Sequence, residues 1–194
     1  GRQSVVWGKA DGFRVLDIVH PFDYREFILA DRESSRLPLA MARVEKTVNE
    51  QDTLQILIIP ERRQDILPNA GNRFAEIWPQ LNWDSTAGTE SRSSVLRTPQ
   101  VGLKWEHTGQ QFSYTVNAIN RWSPQPTYTI VPPSTAIARD DYRQWVIGSS
   151  FDLALSEWVV RGEATYIPTT YLASQQSIML PIYQNYKQFS WVLG

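Results

Sequence analysis

Strand-like segments in this chain are joined by short turns and long connections in strict alternation. The predicted strands are residues 2–7, 39–48, 53–60, 100–108, 111–122, 143–155, 158–167 and 186–194. The short links are residues 49–52, 109–110 and 156–157. The long links are residues 8–38, 61–99, 123–142 and 168–185. Connections of this length without structure of their own are unusual in a compact soluble domain.

One class of protein makes this asymmetry routine. Outer-membrane β-barrels have tight turns on one rim and long loops on the other. Successive side chains of a strand point to opposite sides, so the residues of each segment divide into two faces. The apolar face is predicted to hold Val101, Leu103, Trp105, Trp145, Ile147, Phe151, Trp158, Val160 and Trp191. The opposite face is predicted to hold Gly102, Lys104, Glu106, Ser113, Thr115, Asn117, Arg161, Glu163 and Thr165. A soluble sandwich also alternates, but its polar face is the outer one.

Aromatic residues favour the barrel. The chain has eight Trp and eight Tyr in 194 residues, and many of them lie near the ends of predicted strands. Examples are Trp7, Trp105, Trp122, Trp145, Trp158, Tyr166 and Tyr186. Barrels carry girdles of such rings at both membrane interfaces. The alternative explanation is that Trp and Tyr simply favour strands.

Composition excludes several other classes. Mean hydropathy is −0.36, and no apolar run approaches the length of a membrane helix. The chain has no cysteine, so it has neither disulfides nor a thiolate metal site. A net charge of −1 gives no basic patch for nucleic acid. The nucleotide-binding glycine motifs are absent, and two histidines without a dense carboxylate cluster predict no transition-metal site.

Two stretches of sequence carry a resemblance. The first comprises Gly1-Arg2-Gln3, Trp7-Gly8, ADGFRVLD at 10–17, PFDYREF at 21–27 and SRLPL at 35–39. The second comprises WVVRGEA at 158–164 and WVLG at 191–194. Together they resemble a family of Gram-negative outer-membrane proteins known mainly as a domain of unknown function. The resemblance implies a barrel and a location, but no reaction. Family members are longer and carry a signal peptide, so we expect these 194 residues to be an internal section of a larger barrel.

The connection 8–38 is the leading candidate for a functional loop. It interleaves six acidic with five basic residues beside Phe22, Tyr24 and Phe27. We expect it to fold into the lumen with its charges paired, as porin constriction loops do, because charged constrictions select solutes. The alternative is a salt-bridged extracellular loop that only stabilises the rim. The candidates for lumen and constriction residues are Arg14, Asp17, Asp23, Arg25, Glu26, Arg36, Lys104, Glu106, Arg161 and Glu163.

The strand charges among these candidates should point inward, because charges facing lipid are costly. Salt bridges that stiffen the wall are a more economical role for them than solute binding. A hydrolase would need a base within reach of a nucleophile. His107, Ser113 and Asn117 are the nearest approach to such a set, and no motif supports it.

We therefore predict an all-β chain forming an antiparallel, up-and-down transmembrane β-barrel. Residues 1–194 are one barrel domain or an internal section of one, with about eight strands visible. The predicted function is a porin-like outer-membrane channel for small or amphipathic molecules, with no enzyme activity and no cofactor. The alternative is a structural barrel that docks an envelope protein or surface assembly through its long loops. An outer-membrane hydrolase is the remote alternative. Membrane lipid, including lipopolysaccharide, is the expected surrounding, and nucleic acid is not expected as a partner.

Overall fold

A computed structural model of the chain describes residues 1–10, 14–68, 73–74, 98–125, 127–130, 137–174 and 182–194. Its strands are β1 (Arg2–Gln3), β2 (Leu39–Ala40), β3 (Ala42–Thr47), β4 (Asp52–Ile59), β5 (Gln100–His107), β6 (Phe112–Trp122), β7 (Thr127–Ile130), β8 (Ile137–Asp140), β9 (Arg143–Leu155), β10 (Trp158–Ser174) and β11 (Ile182–Leu193). Its helices are a 3-10 turn (Phe27–Leu29) and α1 (Arg32–Ser35), which Asp31 caps by accepting a hydrogen bond from the Glu33 N–H. The prediction of an all-β chain is confirmed.

Seven strands form one antiparallel sheet in the order β11-β10-β9-β6-β5-β4-β3. Strands that follow one another along the chain lie side by side, except that the hairpin β7–β8 is inserted between β6 and β9 and forms a sheet of its own. The hairpin pairs beside the tight turns are Thr47 with Thr53, His107 with Tyr114 and Leu155 with Trp158. Asp52 also pairs with His107, and Phe112 pairs with Leu153, so all three turns lie at one end of the sheet. The predicted meander is confirmed, and we call this end the turn rim.

Local chemistry explains two details of the sheet. At the first turn the Asn49 side-chain oxygen accepts hydrogen bonds from the backbone N–H groups of Gln51 and Asp52, which closes the chain on itself. In β10 the register with β11 shifts between Ile167 and Thr170, at Pro168. Proline has no N–H to donate to the ladder, so a bulge lets the strand continue past it.

Three sequence predictions are corrected by the structure. Residues 2–7 were expected to be a barrel strand, but only Arg2–Gln3 pair, and they pair with Leu39–Ala40 outside the main sheet. The link 168–185 was expected to be a loop, but β10 extends to Ser174 and β11 begins at Ile182. The link 123–142 contains β7 and β8. Most of the predicted link 61–99 lies outside the described residues.

The seven-stranded sheet is not closed within the described residues. β3 and β11 form its two edges and do not pair with each other. The prediction of a barrel is therefore met only as an antiparallel β-sheet of the expected topology.

The two faces of the sheet have the expected character, with the apolar face exposed and the polar face buried. On the apolar face Trp158 is 74% exposed and Trp191 is 67% exposed. Val101, Leu103, Trp145 and Ile147 on that face are also exposed. The buried polar face includes Gln55, Lys104, Thr115, Asn117, Ser150, Glu163 and Thr165. This distribution is the reverse of a soluble sandwich, which turns its polar face to water.

Residues 4–10 and 14–20, which we call the plug segment, cover the polar face. Trp7 fits against Gly102, where an added Cβ would lie 2.8 Å from the indole ring. Leu16 fits against Gly148, where an added Cβ would lie 2.2 Å from the leucine methyl. The main apolar core lies between this segment and the sheet, and it contains Val5, Trp7, Leu16, Ile18, Val19, Leu39, Met41, Leu57, Ile59, Ile119 and Val146.

Candidate functional site

The carboxylate of Glu163 is the centre of the contact between the plug segment and the polar face. Alternation along β10 turns Glu163 to this face, where it is 3% exposed. Its Oε1 accepts hydrogen bonds from the N–H groups of Lys9 and Ala10, and its Oε2 accepts from those of Val15 and Leu16. The four N···O distances run from 2.5 to 3.1 Å. A carboxylate buried in this way is held by hydrogen bonds to its charged form, which are stronger than neutral ones.

An ion-pair network lies beside Glu163 on the polar face, and the register places Glu106 in the same row as Glu163. The Lys9 ammonium lies 2.8 Å from a Glu106 oxygen and 3.5 Å from an Asp152 oxygen. Lys104 contacts the other Glu106 oxygen at 2.7 Å, and the Arg161 Nε lies 3.1 Å from Asp152. Each charge on this part of the face therefore has an opposite charge next to it.

Arginine–carboxylate pairs also join the plug segment to the connection that follows it. Asp17 and Arg36 are both buried and form a two-pronged contact, with N···O distances of 2.6 and 3.2 Å. The Arg32 Nε contacts the same carboxylate at 3.2 Å, and both guanidinium groups lie over the Phe22 ring. Arg14 lies near Glu33 at 3.6 Å. The expected pairing of charges is thus present in this connection.

Buried histidine links the two ends of the plug segment. The His20 Nε2 accepts a hydrogen bond from the Val5 N–H at 2.8 Å, and Nδ1 lies 3.0 Å from the Leu37 carbonyl oxygen. This arrangement requires the neutral ring with the proton on Nδ1, because a protonated Nε2 could not accept. Burial lowers the pKa of His20 from its ordinary value, which favours the same neutral form.

Asp65 forms a second polar site, partly buried and close to Arg121. Its carboxylate accepts a hydrogen bond from the Phe22 N–H at 2.8 Å. Burial raises the pKa of Asp65 to about 6, against the lowering effects of the Phe22 bond and of Arg121. Arg121 in turn donates to the Ile18 carbonyl oxygen, so it holds the plug segment from the sheet side.

The polar face also carries buried groups without partners. Asn117 is 2% exposed, and neither its amide nitrogen nor its amide oxygen has a hydrogen-bond partner among the described residues. Gln144 has an unpaired buried oxygen in the same sense. By contrast, the hydroxyls of Thr115 and Ser150 bond to each other at 2.7 Å. A buried polar group without a partner costs free energy. The apolar Leu16 side chain packed close to Asn117 offers its amide no hydrogen bond.

Three of the predicted constriction residues lie elsewhere. Asp23 pairs with Arg25 through two oxygens, and together with Glu26 they line a surface cavity of about 380 Å³. The remaining lining residues are Ala30, Ser34 and Ser35. The structure thus brings Lys104, Glu106, Arg161 and Glu163 together on the polar face but does not place Asp23, Arg25 and Glu26 beside them.

His107, Ser113 and Asn117, the set considered for a hydrolase, do not lie on one face of the sheet. The His107 Nδ1 lies 2.8 Å from Asp52, which gives an Asp–His pair near the turn rim. Alternation places His107 with Trp105 on the apolar face, whereas Ser113 belongs to the polar face with Thr115. The Ser113 hydroxyl bonds the backbone of Gly109.

Several residues of this site carry little or no sequence signal. Lys9 and Asp65 lie in connections, where no periodicity reports orientation. Asp152 and Gln144 could have been found, since both share the parity of the polar face in β9. Across the described ranges, no group of three or more His, Asp or Glu side chains is arranged to hold a metal ion.

Comparisons with family models, with curated proteins and with solved structures find no match to this chain. In the part of the chain that the structure describes, no helix is both long enough and apolar enough to cross a membrane.

Proposed function

We propose that this chain forms part of the wall of an outer-membrane β-barrel channel, with small or amphipathic solutes moving along its polar face. One observation carries the proposal: the sheet exposes its apolar face and buries its polar face. A contiguous exposed apolar surface marks a partner or a membrane, because monomeric soluble proteins rarely expose large apolar patches. The alternation of lipid-facing and lumen-facing residues in transmembrane barrels matches this inversion.

The topology supports the same proposal. Tight turns at one end and longer connections at the other are the arrangement of outer-membrane barrels. β9 and β10 have 13 and 17 residues, which is ample for a tilted crossing. The resemblance of residues 1–39 and 158–164 to outer-membrane proteins adds to this support.

The open edges set a condition on the proposal. Within lipid, every backbone N–H and C=O must find a partner, so membrane sheets close on themselves. The edges of β3 and β11 must therefore pair with further strands, and a longer chain is the simplest source of these strands. Because about eight strands enclose an interior only wide enough for side chains, room for the plug segment in the lumen requires a larger barrel.

A second candidate function is a plugged structural barrel that docks an envelope protein. The observation that favours it is the cover over the polar face, where the plug segment forms an apolar core against the sheet. The two candidate functions differ in whether the plug segment leaves the lumen. Ion conductance of the complete protein in planar bilayers measures this. An open or openable pore supports the channel, and a lumen sealed under all conditions supports the structural barrel.

Lipid contact is tested by fluorescence quenching in vesicles with brominated acyl chains. Trp145, Trp158 and Trp191 are exposed on the apolar face, so replacing all three by Phe should remove a large share of the quenchable signal. Trp7 is 1% exposed, so Trp7→Phe is the matched control and should leave the amount of fluorescence lost to quenching unchanged. Equal quenching in the triple variant and the parent protein would contradict the membrane proposal.

A further inference from the structure

We propose that the plug segment is displaceable and that Glu163 is the latch that holds it on the polar face. The inference rests on the proposed channel, whose path the segment would cover. It assigns a positioning role to one carboxylate and a two-state motion to one segment.

The latch joins two parts of the plug segment to one strand. Lys9 and Ala10 bind one oxygen of Glu163, and Val15 and Leu16 bind the other. Gly8 is also pressed against this carboxylate, since an added Cβ would lie 2.8 Å from Oε1. The buried carboxylate receives its hydrogen bonds from the plug segment, so seating the segment and satisfying the charge occur together.

The surface beneath the latch is suited to water. Register pairing places Gln55, Lys104, Asn117, Gly148 and Thr165 in one row across five strands. In the seated state Leu16 packs against Gly148, which is next to Asn117 in this row, and the Asn117 amide has no partner among the described residues. Displacing the segment would let water bind Asn117 and would uncover a polar track along the row. The seated state therefore gains an apolar core but leaves polar groups unsatisfied, which is the balance that a two-state element needs.

Among the described residues, the other polar contacts between the segment and the seven-stranded sheet are single hydrogen bonds and the ion pairs of Lys9. The Trp7 indole N–H donates to Gln55 at 2.7 Å, and Arg121 donates to the Ile18 carbonyl. Lys9 contacts Glu106 and Asp152 through its flexible side chain. The Asp17 carboxylate joins the segment to the connection that follows it, through Arg36 and Arg32. Glu163 thus supplies more hydrogen bonds to the segment than any of these anchors.

The test uses accessibility, which is read independently of conductance. The chain has no native cysteine, so Asn117→Cys introduces a single thiol beneath the plug segment. Glu163→Gln keeps the shape but offers an NH₂ where two backbone N–H groups require an acceptor. We expect the labelling rate of this thiol by a charged, water-soluble reagent to rise at least tenfold with Glu163→Gln. Glu61→Gln is the matched control, because this carboxylate also accepts a backbone N–H, that of Ala40, and bonds Arg2 but no residue of the plug segment, so it should leave the rate unchanged.

Two further variants, Glu163→Ala and Gly8→Ala, test the latch by the same labelling rate. Glu163→Ala leaves a vacant nest of N–H groups, and added acetate should fill it and restore protection of the thiol. Gly8→Ala should raise labelling to an intermediate rate, and it serves if the Glu163 variants do not fold. Unchanged labelling in a folded Glu163 or Gly8 variant would overturn the latch. Faster labelling of Glu163→Ala that acetate does not reverse would overturn it as well. Faster labelling without any rise in conductance would leave the latch standing and contradict the channel.

Discussion

The pKa values of buried His20 and partly buried Asp65 are both shifted in the direction that favours the neutral side chain. Burial disfavours the charged form of each, which lowers the pKa of His20 and raises that of Asp65 to about 6. For His20 the unfolded chain binds a proton first as the pH falls below about 6.5, so acid reduces stability. For Asp65 the folded chain holds its proton up to about pH 6, so stability falls as the pH rises through the interval from 3.8 to about 6. Neutral His20 and protonated Asp65 are thus the forms that the fold prefers.

Substituting Asp65 should therefore change the free energy of unfolding at higher pH, and substituting His20 should change it at lower pH. Asp65→Asn resembles the protonated acid and can still accept from Phe22, so it should stabilise the protein above pH 6 by up to about 3 kcal/mol. His20→Gln cannot gain a proton, so it should flatten the loss of stability below pH 6.5. The measurement is the free energy of unfolding in urea from pH 4.5 to 8. A gain for Asp65→Asn that is largest at the acid end would show that the sign is wrong.

Strand β9 shows how one small residue lets an element receive a loop. Gly148 lies on the polar face, and a Cβ there would come within 2.2 Å of Leu16, 2.7 Å of Asn117 and 3.3 Å of the Ala164 carbonyl oxygen. The absence of a side chain is what allows Leu16 to reach the sheet. The strand therefore requires glycine for close packing and not for an unusual backbone angle.

Gly148→Ala should accordingly destabilise the protein by about 1–3 kcal/mol, the usual cost of overpacking. Leu16→Ala removes the clashing methyl groups, so the double variant should be less destabilised than the sum of the two single changes. Ser149→Ala on the opposite face is the control and should have little effect, because that side chain is exposed. A simple sum of the two energies would mean that Leu16 does not sit on Gly148.

The sheet as a whole has two features that belong together in a membrane protein, an exposed apolar face and two unpaired edges. In water such edges invite aggregation, and in lipid they must be paired. In the complete protein in vesicles, the amides of Ala42–Thr47 and Ile182–Leu193 should exchange as slowly as those of the central strand Phe112–Trp122. Hydrogen exchange read by mass spectrometry measures this directly. Fast exchange confined to β3 and β11 would indicate open edges and would exclude a closed barrel.

Strand positions were largely predictable because alternation is a local property. β9 was predicted with its observed bounds, and the pairs of predicted strands around the three tight turns are the observed hairpins. The inward orientation of Lys104 and Glu163 followed from parity for the same reason. The errors also have local causes. Pro168 was treated as a strand end, whereas a bulge carries β10 past it, and the alternation in residues 2–7 suits an extended segment that lies on a sheet as well as one within it.

The partners of these side chains depend on contacts between residues far apart in the chain. Glu163 is bound by backbone N–H groups of Lys9 and Leu16, about 150 positions away, and N–H groups are common to all residues except proline. No residue type in 8–38 therefore predicts that this segment binds the Glu163 carboxylate. The amino-acid pattern establishes strands, faces and a strand order, since each follows from side chains a few positions apart. The seating of the plug segment, the burial of His20 and the unpaired Asn117 arise only when the sheet is assembled, because they depend on which backbone atoms the fold brings to a given side chain.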